Sequence, residues 1–129
     1  MYDLTDAIFH DDDSCLDRTY DLVVASDSLQ YSPDVAATLS RLADAAAQWL
    51  FVAQLPTVSR ADSFVVQQRP DAYGYATEYL GWVVNRDDLI RQTSRAGLQL
   101  EREFLAPGAI DAAGAPEPAQ LRSFLFRRG

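Results

Sequence analysis

Lysine is absent from this sequence of 129 residues: all 11 basic residues are arginines, set against 19 acidic ones for a formal net charge of −8. So acidic a chain is a poor match for nucleic acid or an anionic membrane surface. Cysteine and histidine occur once each, as Cys15 and His10. One cysteine makes no internal disulfide, one histidine builds no multi-histidine centre, and no metal site is expected. The six glycines, Gly74, Gly81, Gly97, Gly108, Gly114 and Gly129, are scattered with no two within three residues of each other. A glycine-rich cofactor loop and the Gly-x-Ser-x-Gly elbow of serine hydrolases are therefore both missing. No apolar run approaches the roughly 18 residues of a spanning helix, and Met1-Tyr2-Asp3-Leu4 opens neither a basic nor an apolar leader. What is left is a single cytoplasmic domain, for which 48% apolar residues supply a modest core.

What is there reads as alternating strands and helices. Tyr20-Asp21-Leu22-Val23-Val24-Ala25-Ser26 is too short and too valine-rich for a helix. It predicts a parallel strand over 21–26, buried on both faces. Ser32-Pro33-Asp34 then predicts a helix start, with Ser32 as cap and Pro33 at the first helical position. Val35, Leu39, Leu42 and Ala46 recur at helical spacing, so the helix is expected to end before Trp49. Trp49-Leu50-Phe51-Val52-Ala53-Gln54 predicts a second buried strand closed by Pro56, and strand, helix, strand implies a βαβ crossover. Residues 57–84 follow no single period and predict an irregular excursion with short local pieces. Asn85-Arg86-Asp87-Asp88 predicts a capped helix with Leu89, Ile90, Thr93 and Ala96 facing inward, stopped at Gly97. Leu98 to Phe104 alternates as a half-exposed strand near a sheet edge; 106–119 is a loop rich in proline and glycine. Leu121 to Arg127, around Ser123-Phe124-Leu125-Phe126, closes the chain as an antiparallel strand.

This order, with the words Tyr20-Asp21-Leu22-Val23-Val24-Ala25-Ser26, Leu29-Gln30-Tyr31 and Pro33-Asp34, resembles the C-terminal half of a class I S-adenosylmethionine (SAM)-dependent methyltransferase. Val65-Val66-Gln67-Gln68-Arg69-Pro70 and Trp82 ahead of Asn85-Arg86-Asp87-Asp88-Leu89 are similar to a family of bacterial methyltransferases of unassigned substrate. The resemblance implies a partial Rossmann-like α/β fold: parallel strands with a crossover helix plus a final antiparallel pair. It also implies SAM as cofactor and methyl transfer to an oxygen or nitrogen of a small molecule or saccharide. The family opens with a strand and a glycine-rich loop that this chain does not contain. The expectation is a truncated domain, 1–129, whose binding of cofactor unaided is in doubt.

By the same resemblance Asp11 or Asp12 falls near the adenine, although Asp11-Asp12-Asp13 reads equally as a solvated turn. A calcium loop fails on spacing, since starting it at Asp11 puts Leu16 where glycine and Leu22 where glutamate is required. Ser26, Asp27, Gln30 and Tyr31 sit where open parallel sheets bind ligands, beyond the carboxyl end of a strand. The alternative is a polar loop and helix cap. In the functional reading Ser26 and Gln30 contact cofactor, while Asp27 or Tyr31 assists deprotonation of an acceptor hydroxyl. Tyr73, Tyr79 and Trp82 then belong to a substrate cover, or else simply to the core. The rival function is a non-catalytic interaction module: strand 21–26, left as an unprotected edge, invites a homodimer or pairing with a separately encoded N-terminal half.

Overall fold

The computed structural model describes residues 13–26, 28–68, 79–108 and 114–129. Strand β1 (Tyr20–Ser26) leads through a short 3-10 turn, Leu29–Tyr31, into helix α1 (Val35–Ala45) and strand β2 (Ala46–Val58). Strands β3 (Phe64–Gln68) and β4 (Tyr79–Asn85), helix α2 (Arg86–Arg95), and strands β5 (Leu98–Leu105) and β6 (Gln120–Arg128) follow. The sheet order is β3-β4-β2-β6-β5, with β1 also joined to β2. β1 pairs β2 in parallel from Tyr20↔Ala46 to Ser26↔Ala53, and β6 runs antiparallel to both β2 and β5. The predicted parallel pair, crossover helix and antiparallel ending are all present.

Helix starts follow their capping chemistry, one as expected and one displaced. Asn85 caps α2 by accepting from the Asp88 N–H at 3.0 Å, and Gly97 ends it at φ 92°. For α1 the cap is Asp34, accepting from the Ala37 N–H at 3.0 Å, and not Ser32. Pro33 thus precedes the cap, and the Ser32 hydroxyl donates instead to the Asp34 carbonyl. The C-terminal end also moves: α1 stops at Ala45 and β2 begins at once. Arg128 accounts for this abrupt change, because its guanidinium donates to the carbonyls of Ala43, Ala46 and Ala96, at the ends of both helices.

β2 does not close at Pro56 but runs 13 residues to Val58. Its outer edge pairs β1 as far as Ala53 and β4 from Thr57, so Pro56 occupies the gap where a missing N–H is tolerated. A bulge lies just before it. Gln54 has φ 61°, breaking the register with β6 between Val52 and Leu55, and its N–H is held by the Ser123 hydroxyl at 3.1 Å. The region read as irregular contains an antiparallel hairpin, β3 with β4, paired from Phe64↔Val83 to Gln68↔Tyr79. β5 carries a second bulge at Glu101. Beyond it the alternation inverts, and Glu103 turns to the helix side, where the simple period had placed Arg102.

One face of the sheet packs under α1 and α2. Val23, Ala25, Leu39, Leu42, Leu50, Val52, Leu89, Leu98, Phe124 and Phe126 form its core. The other face has no helix over it among the described residues, and here the expectation for β1 fails. Val23 and Ala25 are buried, but Leu22 and Val24 are exposed.

Candidate functional site

β1, β2 and β4 run in the same direction, and β5 is antiparallel to β6 as β2 is, so their carboxyl ends lie at one end of the sheet. The turn after β1, the 59–63 loop after β2, the start of α2 and the loop before β6 all meet there. Open α/β sheets take ligands at this end. The 59–63 loop is pinned from two sides. The Glu117 carboxylate accepts from the N–H groups of Ser59, Arg60 and Ala61 at 3.0, 2.9 and 2.7 Å, which holds its pKa below the ordinary glutamate value. Opposite, Asn85 donates its side-chain amide to the Ala61 carbonyl and its backbone N–H to the Ser63 hydroxyl, both at 2.8 Å. One residue thus caps α2 and fixes the loop beside it.

Charge reinforces the arrangement. Arg86, the first residue of α2, grips Glu103 of β5 through two bonds of 2.7 Å, and Arg122 of β6 adds one of 2.8 Å. Glu103 is lowered from its ordinary pKa chiefly by the Arg86 hydrogen bonds, and Arg86 is raised by the same contact.

Between α1, α2 and β4 lies a cavity of about 410 Å³. Leu39, Trp82 and Leu89 form its apolar wall, with Asp34, Ser63 and Gln92 among its polar groups. Gln92 also donates to the Ala36 carbonyl at 2.6 Å, tying the two helices across the site. The volume and lining suit a small molecule with an apolar body and hydroxyl or amine substituents. No group of three or more potential metal ligands is present among the described residues.

Of the residues singled out from sequence, Trp82 lines this cavity, while Ser26, Gln30 and Tyr31 gather beside it at the end of β1 without lining it. Gln30 is only 3% exposed; Tyr31 is 42% exposed. Tyr79 is described as a backbone position pairing Gln68. Asp11, Asp12, Asp27 and Tyr73 lie outside the described residues. Sequence reasoning missed Asp34, Ser63 and Gln92 as cavity groups. Asp88 and Gln92, four apart on a predicted helix, were the available signal for one flank.

No family model and no curated protein sequence matches the chain. Solved structures do. Magnesium protoporphyrin IX methyltransferase (ChlM) from Synechocystis PCC 6803 with bound SAM superposes with a TM-score of 0.54 at 14% identity, covering 87% of this chain and 40% of that one. The N-terminal domain of EvdMO1 with SAH bound gives a TM-score of 0.56 at 14% identity, over 92% and 50%. The fold is a partial class I methyltransferase fold. The chain spans half or less of the length of these structures. In this chain the antiparallel β6 lies between β2 and β5, which a plain parallel sheet would not have.

Proposed function

We propose that this chain forms the acceptor side of a SAM-dependent methyltransferase acting on an oxygen or nitrogen of a small molecule or saccharide. The observation that supports the reading is the cavity under Trp82, at the carboxyl end of a methyltransferase-like sheet. Trp82, Leu39 and Leu89 give an apolar surface for the acceptor, while Ser63, Asp34 and Gln92 orient its polar groups. The described residues do not make up a SAM site. Ser26 and Gln30 provide one flank, and the described glycines with positive φ, Gly97, Gly108 and Gly114, stand at a helix end and in the loop before β6. Cofactor binding by the chain alone is therefore expected to be negligible.

With Trp49→Phe, Trp82 is the remaining tryptophan and its emission reports on the cavity. D-fucose, present in one EvdMO1 crystal with SAH, serves as the saccharide probe; catechol and dopamine serve as hydroxyl and amine probes. A saturable emission change with at least one, abolished by Leu89→Phe, is the expected result. A flat signal across the panel overturns the acceptor pocket. Calorimetric titration with S-adenosylhomocysteine is expected to give no heat of binding; micromolar affinity would overturn the incomplete cofactor site.

A second reading, a non-catalytic interaction module derived from a methyltransferase, is favoured by the uncovered sheet face. It predicts that the probes fail while that face still binds a partner.

A further inference from the structure

Ser63 reaches the Trp82 cavity from a loop that is neither helix nor strand, so its place depends on what holds residues 59–63. Its oxygen accepts from the Asn85 N–H at 2.8 Å, which leaves the hydroxyl proton to be donated elsewhere. Asp34 brings the complementary group to the same cavity. One of its carboxylate oxygens caps α1 through the Ala37 N–H, and the other is left to accept. A hydroxyl group both accepts and donates, so an alcohol or phenol matches this pair. An ammonium cannot accept from Ser63, and a ketone cannot donate to Asp34.

The loop takes its shape from a residue far along the chain. Three successive N–H groups, those of Ser59, Arg60 and Ala61, converge on the Glu117 carboxylate, with Oε2 taking the first and Oε1 the other two. Such a nest of N–H groups closes around a negative charge. Glu117 is itself held firmly. Pro116 and Pro118 on either side restrict its backbone, Ala119 beyond them is buried, and the Gln120 carbonyl accepts from the Thr57 hydroxyl of β2 at 2.9 Å. Asn85 grips the loop from the other side, at the Ala61 carbonyl and at Ser63. A hydroxyl oxygen that accepts one N–H can still swing about that bond, so the Asn85 contact alone does not aim the Ser63 proton. The direction comes from the backbone leading up to it, which Glu117 fixes.

We propose that Glu117 is a positioning residue of the acceptor cavity: acting through the 59–63 loop, it holds the Ser63 hydroxyl where it donates to a hydroxyl oxygen of the acceptor. The proposal rests on the reading of this cavity as the acceptor site. The test uses the full chain with Trp49→Phe, so that Trp82 reports, and two probes of one shape, catechol and o-xylene, in which methyl groups replace the hydroxyls. Ser63→Ala and Glu117→Ala should each weaken catechol about fivefold, the worth of one hydrogen bond, and leave o-xylene within about twofold. The double variant should lose no more than Ser63→Ala alone, because Glu117 acts through Ser63. Glu117→Gln, which keeps one accepting oxygen, should fall between the parent and Glu117→Ala, and it carries the same test if the alanine variant does not fold. Additive losses, an unchanged catechol affinity in the Glu117 variants, or equal losses for both probes overturn the proposal and leave the acceptor cavity standing. A parent that binds neither probe also overturns it, and the cavity falls with it if dopamine and D-fucose leave the emission flat as well.

Discussion

Leu50 and Phe51 are neighbours on β2 and point to opposite sides of one sheet. Leu50 is fully buried beneath the helices, whereas the larger Phe51 meets the Phe104 ring edge to face and stays half-buried. Arg128 and Arg127 repeat the contrast on β6: the first ties three helix-end carbonyls together, while the second lies over Trp49 at the surface. Adjacent residues of similar chemistry thus differ in consequence because, among the described residues, helices cover one face and not the other. Burial is concentrated on the helix side, and the exposed apolar side chains Leu22, Val24 and Phe104 lie on the opposite one.

The sharpest way to break this comparison is to remove a large side chain from each face. Phe124→Ala, on the covered side, should cost about 3–5 kcal/mol in urea unfolding, whereas Leu22→Ala should stay within about 0.5 kcal/mol. Similar costs would mean that the two faces are equally packed. The arginine pair comes next. Arg128→Met removes the guanidinium that joins the carbonyls of Ala43, Ala46 and Ala96 and should cost about 2–4 kcal/mol; Arg127→Met should cost under about 1 kcal/mol.

Smaller effects come from charge and capping on the covered side. Glu103→Gln should cost about 1–2 kcal/mol near neutral pH, since it removes the carboxylate that Arg122 shares with Arg86 and leaves Arg86 with Asp87. Glu103 is depressed in the folded state, so its contribution is present above the ordinary glutamate pKa and is lost as pH falls through the lower folded value. Glu117, depressed by the N–H groups of Ala61, Ser59 and Arg60, acts in the same direction. Unfolding midpoints measured against pH should therefore fall on the acid side, with a flatter profile for Glu103→Gln. Asp34→Ala should cost about 1 kcal/mol through the lost α1 cap, read from the same urea curves.

Much of the framework was legible locally. Asn85 with two aspartates behind it and Gly97 at the far end bracket α2 because capping and positive φ are properties of a few adjacent residues. The apolar words Tyr20–Ser26 and Trp49–Gln54 announced two strands for a similar reason. Ser32 misled as a cap since Ser32 and Asp34 are both capping residues, and only the geometry around Ala37 chooses between them. Pro56 misled because its tolerance depends on where β1 ends and β4 begins. The cavity was mostly illegible: Asp34, Ser63, Trp82 and Gln92 converge from α1, the 59–63 loop, β4 and α2. Glu117 was invisible as well, for its three partners lie more than fifty residues away.

By itself the sequence determined the element types, most of their order, the stop of α2 at Gly97 and the lack of an internal disulfide, all of which depend on composition or on neighbours within a turn. Tertiary structure alone decided which side of β1 is buried, where β2 stops, which groups surround the cavity and that Leu22, Val24 and Phe104 stay exposed. A run of valines and leucines records only that side chains are apolar. Whether they meet a helix or solvent depends on chain folded back from far away.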